Sequence, residues 1–508
     1  MAVVALTLFL LFVLCWLPFG AALAELLSDP AALLATASSP RVLGLLGSTV
    51  LLGLLTALAA CLIGVPVGRL LARGRGRWVA PMALALPLPL VLPPWMVGVA
   101  WTSWFDLKGI FGATFLLAAA LWPLVALFAM RGFRLAGHAS DAAALTSGSR
   151  RRAFLKVELP LAAPSIASGA LLVFVFAVTD FAVVDFLSFA DPQPFVVLSS
   201  EIFQRWARLE SSGAAAAVSL AAIVPTLIAL ALILRIEQRH QGRLKGAAVV
   251  TGRPLAPGPV GWGTIAVAAL LVVQPIVVLV RWSFAEADPV GALEAARESA
   301  IFSVGVSLGA ALIVAVGGVL VARLTLTSRR GGLLLGATLL PLAAPGVMFA
   351  VGEIRLWNHP ANPLSDAVYL SPLLLVLTLG GRWLPLGVLA ARALLLRLDE
   401  GPFDAGRLAG RPLWKRLVAV DLPLLAPATG MALVLGYVFS MRELDMIVLV
   451  PAGSATLAHR IFSMVHIASD GVTALLCVLL LGLVLVPAAA ARLFGVPGVD
   501  CTSPGPPP

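Results

Sequence analysis

Runs of apolar residues, parted by short polar segments, organise this chain. Twelve such runs stand at about 2–24, 43–71, 79–103, 111–131, 162–188, 214–235, 261–284, 300–323, 332–354, 369–392, 424–451 and 471–492. About 20 apolar residues in a helix cross the roughly 30 Å hydrocarbon core of a bilayer. The pattern therefore predicts an all-α polytopic membrane protein with about 12 transmembrane helices. Pro87, Pro89, Pro93 and Pro94 fall in the third run, and Pro341 and Pro345 in the ninth. They predict broken helices, which a membrane tolerates where the backbone lines a cavity or a protein interior.

Composition agrees. With 60% hydrophobic residues, 12% charged residues and a mean hydropathy of +1.02, the chain is excluded from the soluble globular class. Its net charge of +10 is carried by alternate loops: Arg69, Arg73, Arg75 and Arg77; Arg131, Arg134, Arg150–Arg152 and Lys156; Arg235, Arg239, Arg243, Lys245 and Arg253; Arg323, Arg329 and Arg330; Arg392, Arg397, Arg407, Arg411, Lys415 and Arg416; and Arg492. The positive-inside rule then places both termini in the cytoplasm. Basic residues so placed call for a lipid bilayer and for no nucleic-acid partner. The first run lacks a basic n-region and a clean cleavage motif, so it is expected to stay as a first span. The four cysteines, Cys15, Cys61, Cys477 and Cys501, have neither a disulfide framework nor metal-ligand spacing.

A polar segment recurs between these runs. Asp141-Ala142-Ala143, then Ser147-Gly148, then Val157-x-Leu159-Pro160 returns as Asp404-Ala405-Gly406, then Gly410, then Val420-x-Leu422-Pro423, at an offset of 263 residues. The register persists from Pro164 to Pro427 and from Asp180 to Glu443. Pro93-Pro94-Trp95-Met96 is echoed by Pro345-Gly346-Val347-Met348 at an offset of 252. Six spans per half insert both halves the same way up, as two parallel pseudo-symmetric halves. The expected division is a first half at 1–236, a linker at 237–260, a second half at 261–493 and a disordered tail at 494–508. The repeated segments, at about 138–160 and 401–423, fall in the cytoplasm. Each Asp is expected at the N-terminus of a short helix, with Gly148 or Gly410 at φ > 0 to end it. Two copies in register point to one docking element per half.

These residues resemble the "EAA" loop of ATP-binding-cassette importer permeases: Glu-Ala-Ala, three residues, Gly, nine residues, Ile/Val-x-Leu-Pro. Asp141 and Asp404 replace the Glu, Ser147 takes the first Gly position, and Gly406 the third Ala position. The resemblance implies that the loop docks on a cytoplasmic ATPase subunit, with two ATPase copies engaged by Asp141, Ala142, Ala143, Ser147, Gly148, Asp404, Ala405, Gly406 and Gly410. It also implies a periplasmic substrate-binding protein and a bacterial inner (plasma) membrane location. Met441-Arg442-Glu443-Leu444, Pro451-Ala452-Gly453 and Thr456-Leu457-Ala458-His459-Arg460-Ile461-Phe462 are similar to the second half of fused ferric-iron permeases, with Asp445 and Phe462 in place of the usual Pro and Tyr. Fused thiamine and phosphonate permeases are relatives of that group.

None of the four lysines precedes Ser or Thr, so the chain has no phosphate-binding G-x-x-x-x-G-K-[ST] loop. It is expected to be a transport subunit rather than an enzyme and to bind no cofactor, with ATP used on a separate chain. Asp180, Asp185, Arg382, Arg442, Glu443 and Asp445 fall inside apolar runs, where charge is costly and marks candidate function. They are candidates for a polar pathway suited to a hard cation; mutual charge pairing that locks helices is the competing expectation. Glu201 with Arg205, and Glu353 with Arg355, are expected as solvated charges near the outer surface. His359, His459 and His466 are expected in loops or interfaces. Trp95, Trp101, Trp104, Trp262 and Trp282 fit an interfacial aromatic belt. An ion-gradient-driven transporter using Asp180 and Glu443 is the rival of another class, but it has no need of the docking repeat. A polytopic membrane enzyme lacks a nucleophile–base or metal motif.

Overall fold

The computed structural model describes residues 2–24, 35–244 and 256–493, apart from 37, 190, 192–193, 208–211, 287, 360–361, 397, 399–400, 411, 452–454, 466 and 468. Expectations that rest on Lys245, Arg253, Arg397, Arg411, Ala452, Gly453, His466, the middle of the linker and the tail at 494–508 lie outside these residues.

Every element among the described residues is a helix. In order the main ones are α1 (Val4–Ala22), α2 (Pro40–Arg73), α3 (Val79–Val91), α4 (Pro94–Thr102), α5 (Gly109–Ser147), α6 (Arg150–Thr179), α7 (Ala182–Ser188), α8 (Leu198–Ala207) and α9 (Val218–Arg239). There follow α10 (Pro259–Ser283), α11 (Pro289–Thr327), α12 (Gly331–Thr338), α13 (Leu340–Ala343), α14 (Gly346–Trp357) and α15 (Pro372–Leu395). The last are α16 (Gly401–Leu408), α17 (Val418–Met441), α18 (Leu457–Met464) and α19 (Asp470–Leu485). Several starts are written in the sequence. Ser39, Asp288 and Ser371 accept backbone N–H groups at the heads of α2, α11 and α15, each with proline in the first turn.

Nine of these helices are long and apolar enough to cross a membrane, among the described residues. The expected twelve are not all continuous, and proline is the main reason. The run at 79–103 bends by 98° between α3 and α4, at Pro93-Pro94, where a missing N–H and ring clash end the helix. The run at 332–354 is cut into α12, α13 and α14 around Pro341 and Pro345. The final run is described as the shorter apolar helix α19.

Contacts divide the chain into two compact units, and the division differs from a cut at 237–260. One unit holds Ser28–Trp282 with Ala343–Pro345; the other holds Met1–Leu27, Ser283–Leu342 and Gly346–Pro508. The first helix of each sequence half thus groups with the remainder of the other half. In one unit, Gln274 of α10 donates to Ala100 O (3.1 Å), and Trp262 meets Trp78 edge to face with centroids 6.3 Å apart. In the other, Trp16 Nε1 of α1 donates to Ala337 O (3.2 Å), and the buried Cys15 thiol points at Gly381 O (3.7 Å). A Cβ on Gly352 of α14 would stand 2.1 Å from Pro18 O, so only glycine admits that approach of α1. The core of this second unit is built on Phe349, Leu374, Leu375, Leu379, Met446 and Ile447.

The repeat extends into three dimensions. Helices α2 and α11 end at Arg73 and Thr327, positions 254 apart. At the same offset, buried Thr49 accepts the Leu198 N–H (2.9 Å) at the start of α8, and buried Ser303 accepts the Leu457 N–H (2.7 Å) at the start of α18. A π turn occurs at Phe154–Glu158 and again at Leu417–Asp421, 263 residues on. Each leads directly into a Leu-Pro helix start, where proline sits in the first turn.

Candidate functional site

The two repeated segments are built differently around a shared end. Asp404 lies in the first turn of α16, as its sequence predicts. Asp141 does not open a helix. α5 runs unbroken from Gly109 to Ser147, which leaves Asp141 within its last two turns. The reason is that its carboxylate has another use: it accepts a charged hydrogen bond from Arg73 at the end of α2. Gly148 and Gly410 both take φ of +63°, the left-handed conformation that glycine adopts without a Cβ penalty. Nothing lies within 4 Å of a Cβ added at either. Gly148→Ala or Gly410→Ala is therefore expected to cost about 1 kcal/mol from backbone conformation alone, read as a lower unfolding midpoint in detergent.

After Asp141, Ala142 is exposed, Ala143 is half-buried, and Ser147 Oγ donates to Ala143 O (2.7 Å). After Asp404, which is itself exposed, Ala405 is exposed and Gly406 is buried beside the Arg416 side chain. The sequence reading missed a feature that the register makes plain. Leu145 and Leu408 occupy matching positions, 263 apart, and are 75% and 88% exposed. Both copies thus leave a large apolar side chain uncovered at the same register.

The reading also passed over the unnamed residue of Val-x-Leu-Pro. It is Glu158 in one copy and Asp421 in the other, both buried. Glu158 accepts from Arg69 Nε (3.1 Å) and Nη2 (2.8 Å), from Arg73 Nη1 (3.2 Å) and from Ser140 Oγ (3.2 Å). Arg69 also lies over the Phe154 ring at 4.2 Å. One carboxylate thus ties the end of α2, the end of α5 and the π turn in the first part of α6. Asp421 pairs with Arg416, five residues earlier (3.4 Å), while Arg323, the match of Arg69, lies over the Phe403 ring at 4.4 Å.

The intramembrane charges gather chiefly in the second half. Buried Arg382 donates to Pro341 O and lies 5.6 Å from the Trp383 ring; its charge interacts with Glu443 and Asp445. Gly346 opens α14 against both acids: a Cβ there would be 2.8 Å from Asp445 Cβ and 3.4 Å from Glu443 Oε1. Arg442 lies over the Phe439 ring at 5.1 Å. In the first half, Asp180 follows the end of α6, as Glu443 follows the end of α17. Its Oδ1 accepts the Val183 N–H (3.0 Å), and Ser199 Oγ donates to its backbone carbonyl (2.8 Å). Asp185 lies half-buried in α7. Among the described residues, no three His, Cys, Asp or Glu side chains gather as a metal site.

Three expectations change. Glu201 is buried and accepts from Arg41 (2.9 Å) and Arg205 (2.8 Å) instead of facing water. Burial alone would raise its pKa; the hydrogen bonds and charges of the two guanidiniums outweigh that and hold it below the usual glutamate value. Glu353 is also buried, accepting from Trp357 Nε1 one helical turn on (2.8 Å). Trp95 and Trp101 are core residues, whereas Trp104 and Trp262 are about half exposed, as a belt requires.

Residues 64–242 match the model of the family described as binding-protein-dependent transport system inner membrane component. The molybdate/tungstate transport system permease protein of Thermococcus kodakarensis is 32% identical over 186 residues, 35% of this chain and 74% of that protein. The molybdenum transport system permease protein of Mycobacterium tuberculosis is 32% identical over 182 residues, 32% of this chain and 67% of its own length. The Fe(3+)-transport system permease protein of Haemophilus influenzae is 23% identical over 424 residues, 80% of each chain. With its membrane-length helices and a relative matched over most of that relative's length, this chain belongs to the binding-protein-dependent inner-membrane permeases of ATP-binding-cassette transport systems.

Proposed function

We propose that this chain supplies both transmembrane halves of an ATP-driven importer of ferric iron. A binding protein delivers the ion at the periplasmic face of the inner membrane, and two cytoplasmic ATPase chains dock on the segments around Asp141–Gly148 and Asp404–Gly410. Both termini lie in the cytoplasm, and ATP is bound and hydrolysed on the partner chains. The observation that carries the docking assignment is the pair Leu145 and Leu408, exposed at one register in two otherwise polar segments. Their neighbours are small (Ala142, Ala143, Ala405, Gly406), which lets a partner surface approach the backbone.

Ferric iron is favoured over other cargo by extent. The Fe(3+) relative aligns with 80% of this chain and so reaches into both halves, whereas the molybdate/tungstate relatives align with about one third of it. Higher identity over that third supports a second reading, import of a tetrahedral oxyanion. Uptake into proteoliposomes, with the ATPase and binding protein of the same source, decides between them. ATP-dependent entry of radiolabelled ferric citrate, unaffected by excess molybdate, is the expected result. Entry of molybdate, thiamine or phosphonate instead would overturn the iron assignment. Uptake that persists without ATP and collapses with an ionophore would overturn the importer reading in favour of a gradient-driven transporter.

A further inference from the structure

Each half carries one long helix, α2 in the first and α11 in the second, that is gripped at both ends by the same two devices. A short helix that starts in apolar surroundings leaves backbone N–H groups without water, and each needs an acceptor. Buried Thr49 supplies one to Leu198 of α8, and buried Ser303 supplies one to Leu457 of α18. The proton of each hydroxyl is already spent within its own helix: Thr49 donates to Leu45 O (2.7 Å) and Ser303 to Ser299 O (2.8 Å). The rotation of the hydroxyl is therefore fixed, and a lone pair is left for the incoming N–H. In the first unit the grip extends further, because Ser199 Oγ of α8 donates to Asp180 O (2.8 Å), the backbone of a candidate pathway acid.

Twenty residues beyond each hydroxyl stands an arginine, Arg69 on α2 and Arg323 on α11. Arg69 lies over the ring of Phe154, in the π turn after the first docking segment, and Arg323 lies over Phe403, next to Asp404 in the second. The two rings come from different register positions, yet each meets its arginine at the same point along the long helix. Twenty residues of α-helix rise about 30 Å, which is the thickness of the hydrocarbon core. That separation places hydroxyl and arginine at opposite faces. α2 is continuous from Pro40 to Arg73, through Pro66, and α11 from Pro289 to Thr327. Unbroken helices of this kind carry displacement between distant sites. We propose that α2 and α11 carry the ATPase movement across the membrane to α8 and α18, with Thr49 and Ser303 as the positioning residues at their outer ends. This inference rests on the reading of the repeated segments as cytoplasmic ATPase contacts.

The test is the complex of this chain with its ATPase in proteoliposomes, measured for ATP hydrolysis with and without its binding protein, which is used with the cargo it carries when isolated. A link that carries movement outward also carries it inward, so stimulation by the binding protein reads the link. Thr49→Val keeps the shape of the side chain and removes the acceptor. It is expected to lower the stimulation about fivefold, while basal hydrolysis and ATPase association stay unchanged. Ser303→Ala is expected to do the same, and stands in where Thr49→Val fails to accumulate. Thr49→Ser keeps the hydroxyl and is expected to keep the stimulation. Ser303→Ala combined with Arg323→Gln is expected to lose no more than the stronger of the two alone, because both act on one helix. Unchanged stimulation in Thr49→Val and Ser303→Ala, or a loss in Thr49→Ser equal to that in Thr49→Val, would overturn the role of the hydroxyls. Equal loss of basal and stimulated hydrolysis would overturn it too, since a packing defect alone does that. Losses that multiply in the combined variant would overturn α11 as the carrier. If the unsubstituted chain binds no ATPase at all, the docking assignment itself fails, a result separable from each of these.

Discussion

Leu408→Asp is expected to release the ATPase chain from the second docking segment. Fully burying a leucine side chain in a partner's pocket contributes about 2 kcal/mol, which is roughly thirtyfold in affinity. An acid in its place would also bring an unpaired charge into that pocket. Because Leu408 is 88% exposed in the chain alone, the change removes no packing from the permease itself. Its effect should appear in association and not in stability. Leu145→Asp is expected to act in the same direction, since Leu145 is 75% exposed at the matching position. The measurement is co-purification of the ATPase with variants shown to be inserted in the membrane. Undiminished association with both variants would sink the docking surface.

Glu158→Ala is expected to be the most damaging single change in the first cytoplasmic joint. It strips the acceptor from two guanidiniums, one of them on the nearly buried Arg73 side chain. Removing one member of a buried ion pair typically costs about 3–5 kcal/mol; Arg73 keeps its pair with Asp141, so the lower end of that range is expected. Asp421→Ala removes the matching acid, which pairs with Arg416 at 3.4 Å, side chains 13% and 22% exposed. That acid is held by one long contact rather than by two guanidiniums and a hydroxyl, so its loss is expected to cost less, about 1–3 kcal/mol. Thermal unfolding of the two variants in detergent compares them directly. Equal shifts in midpoint would contradict the difference in environment described for the two acids.

Much of this was legible in the sequence, for identifiable reasons. Apolar runs and the positions of Pro93 and Pro345 predicted long helices and their breaks, since bilayer thickness and proline geometry act locally. The offset of 263 predicted left-handed ends at Gly148 and Gly410. What escaped was set by residues far away in the chain. The place of Asp141 inside α5 depends on Arg73, 68 residues earlier, and nothing in the local pattern names that partner. Glu158 was passed over because it stood at the variable position of a motif. Its importance comes from burial, to which a linear reading is blind. Leu145 and Leu408 stood in plain sight; only exposure separates them from the many leucines that face lipid or core. The grouping of α1 with residues beyond 282 is likewise a property of contacts and leaves no local mark.

That grouping has a consequence for how the chain is made. The bond partner of Cys15 is the carbonyl of Gly381, 366 residues downstream. At about 5–20 residues per second, the ribosome reaches that residue tens of seconds after the first helix has emerged. Throughout that interval α1 has only lipid and early neighbours beside it, and its permanent seat does not yet exist. A nascent chain arrested after the first six spans would display an orphaned helix to the quality-control machinery of the membrane. Half-chains supplied from two separate messages would each need the other before either could finish folding.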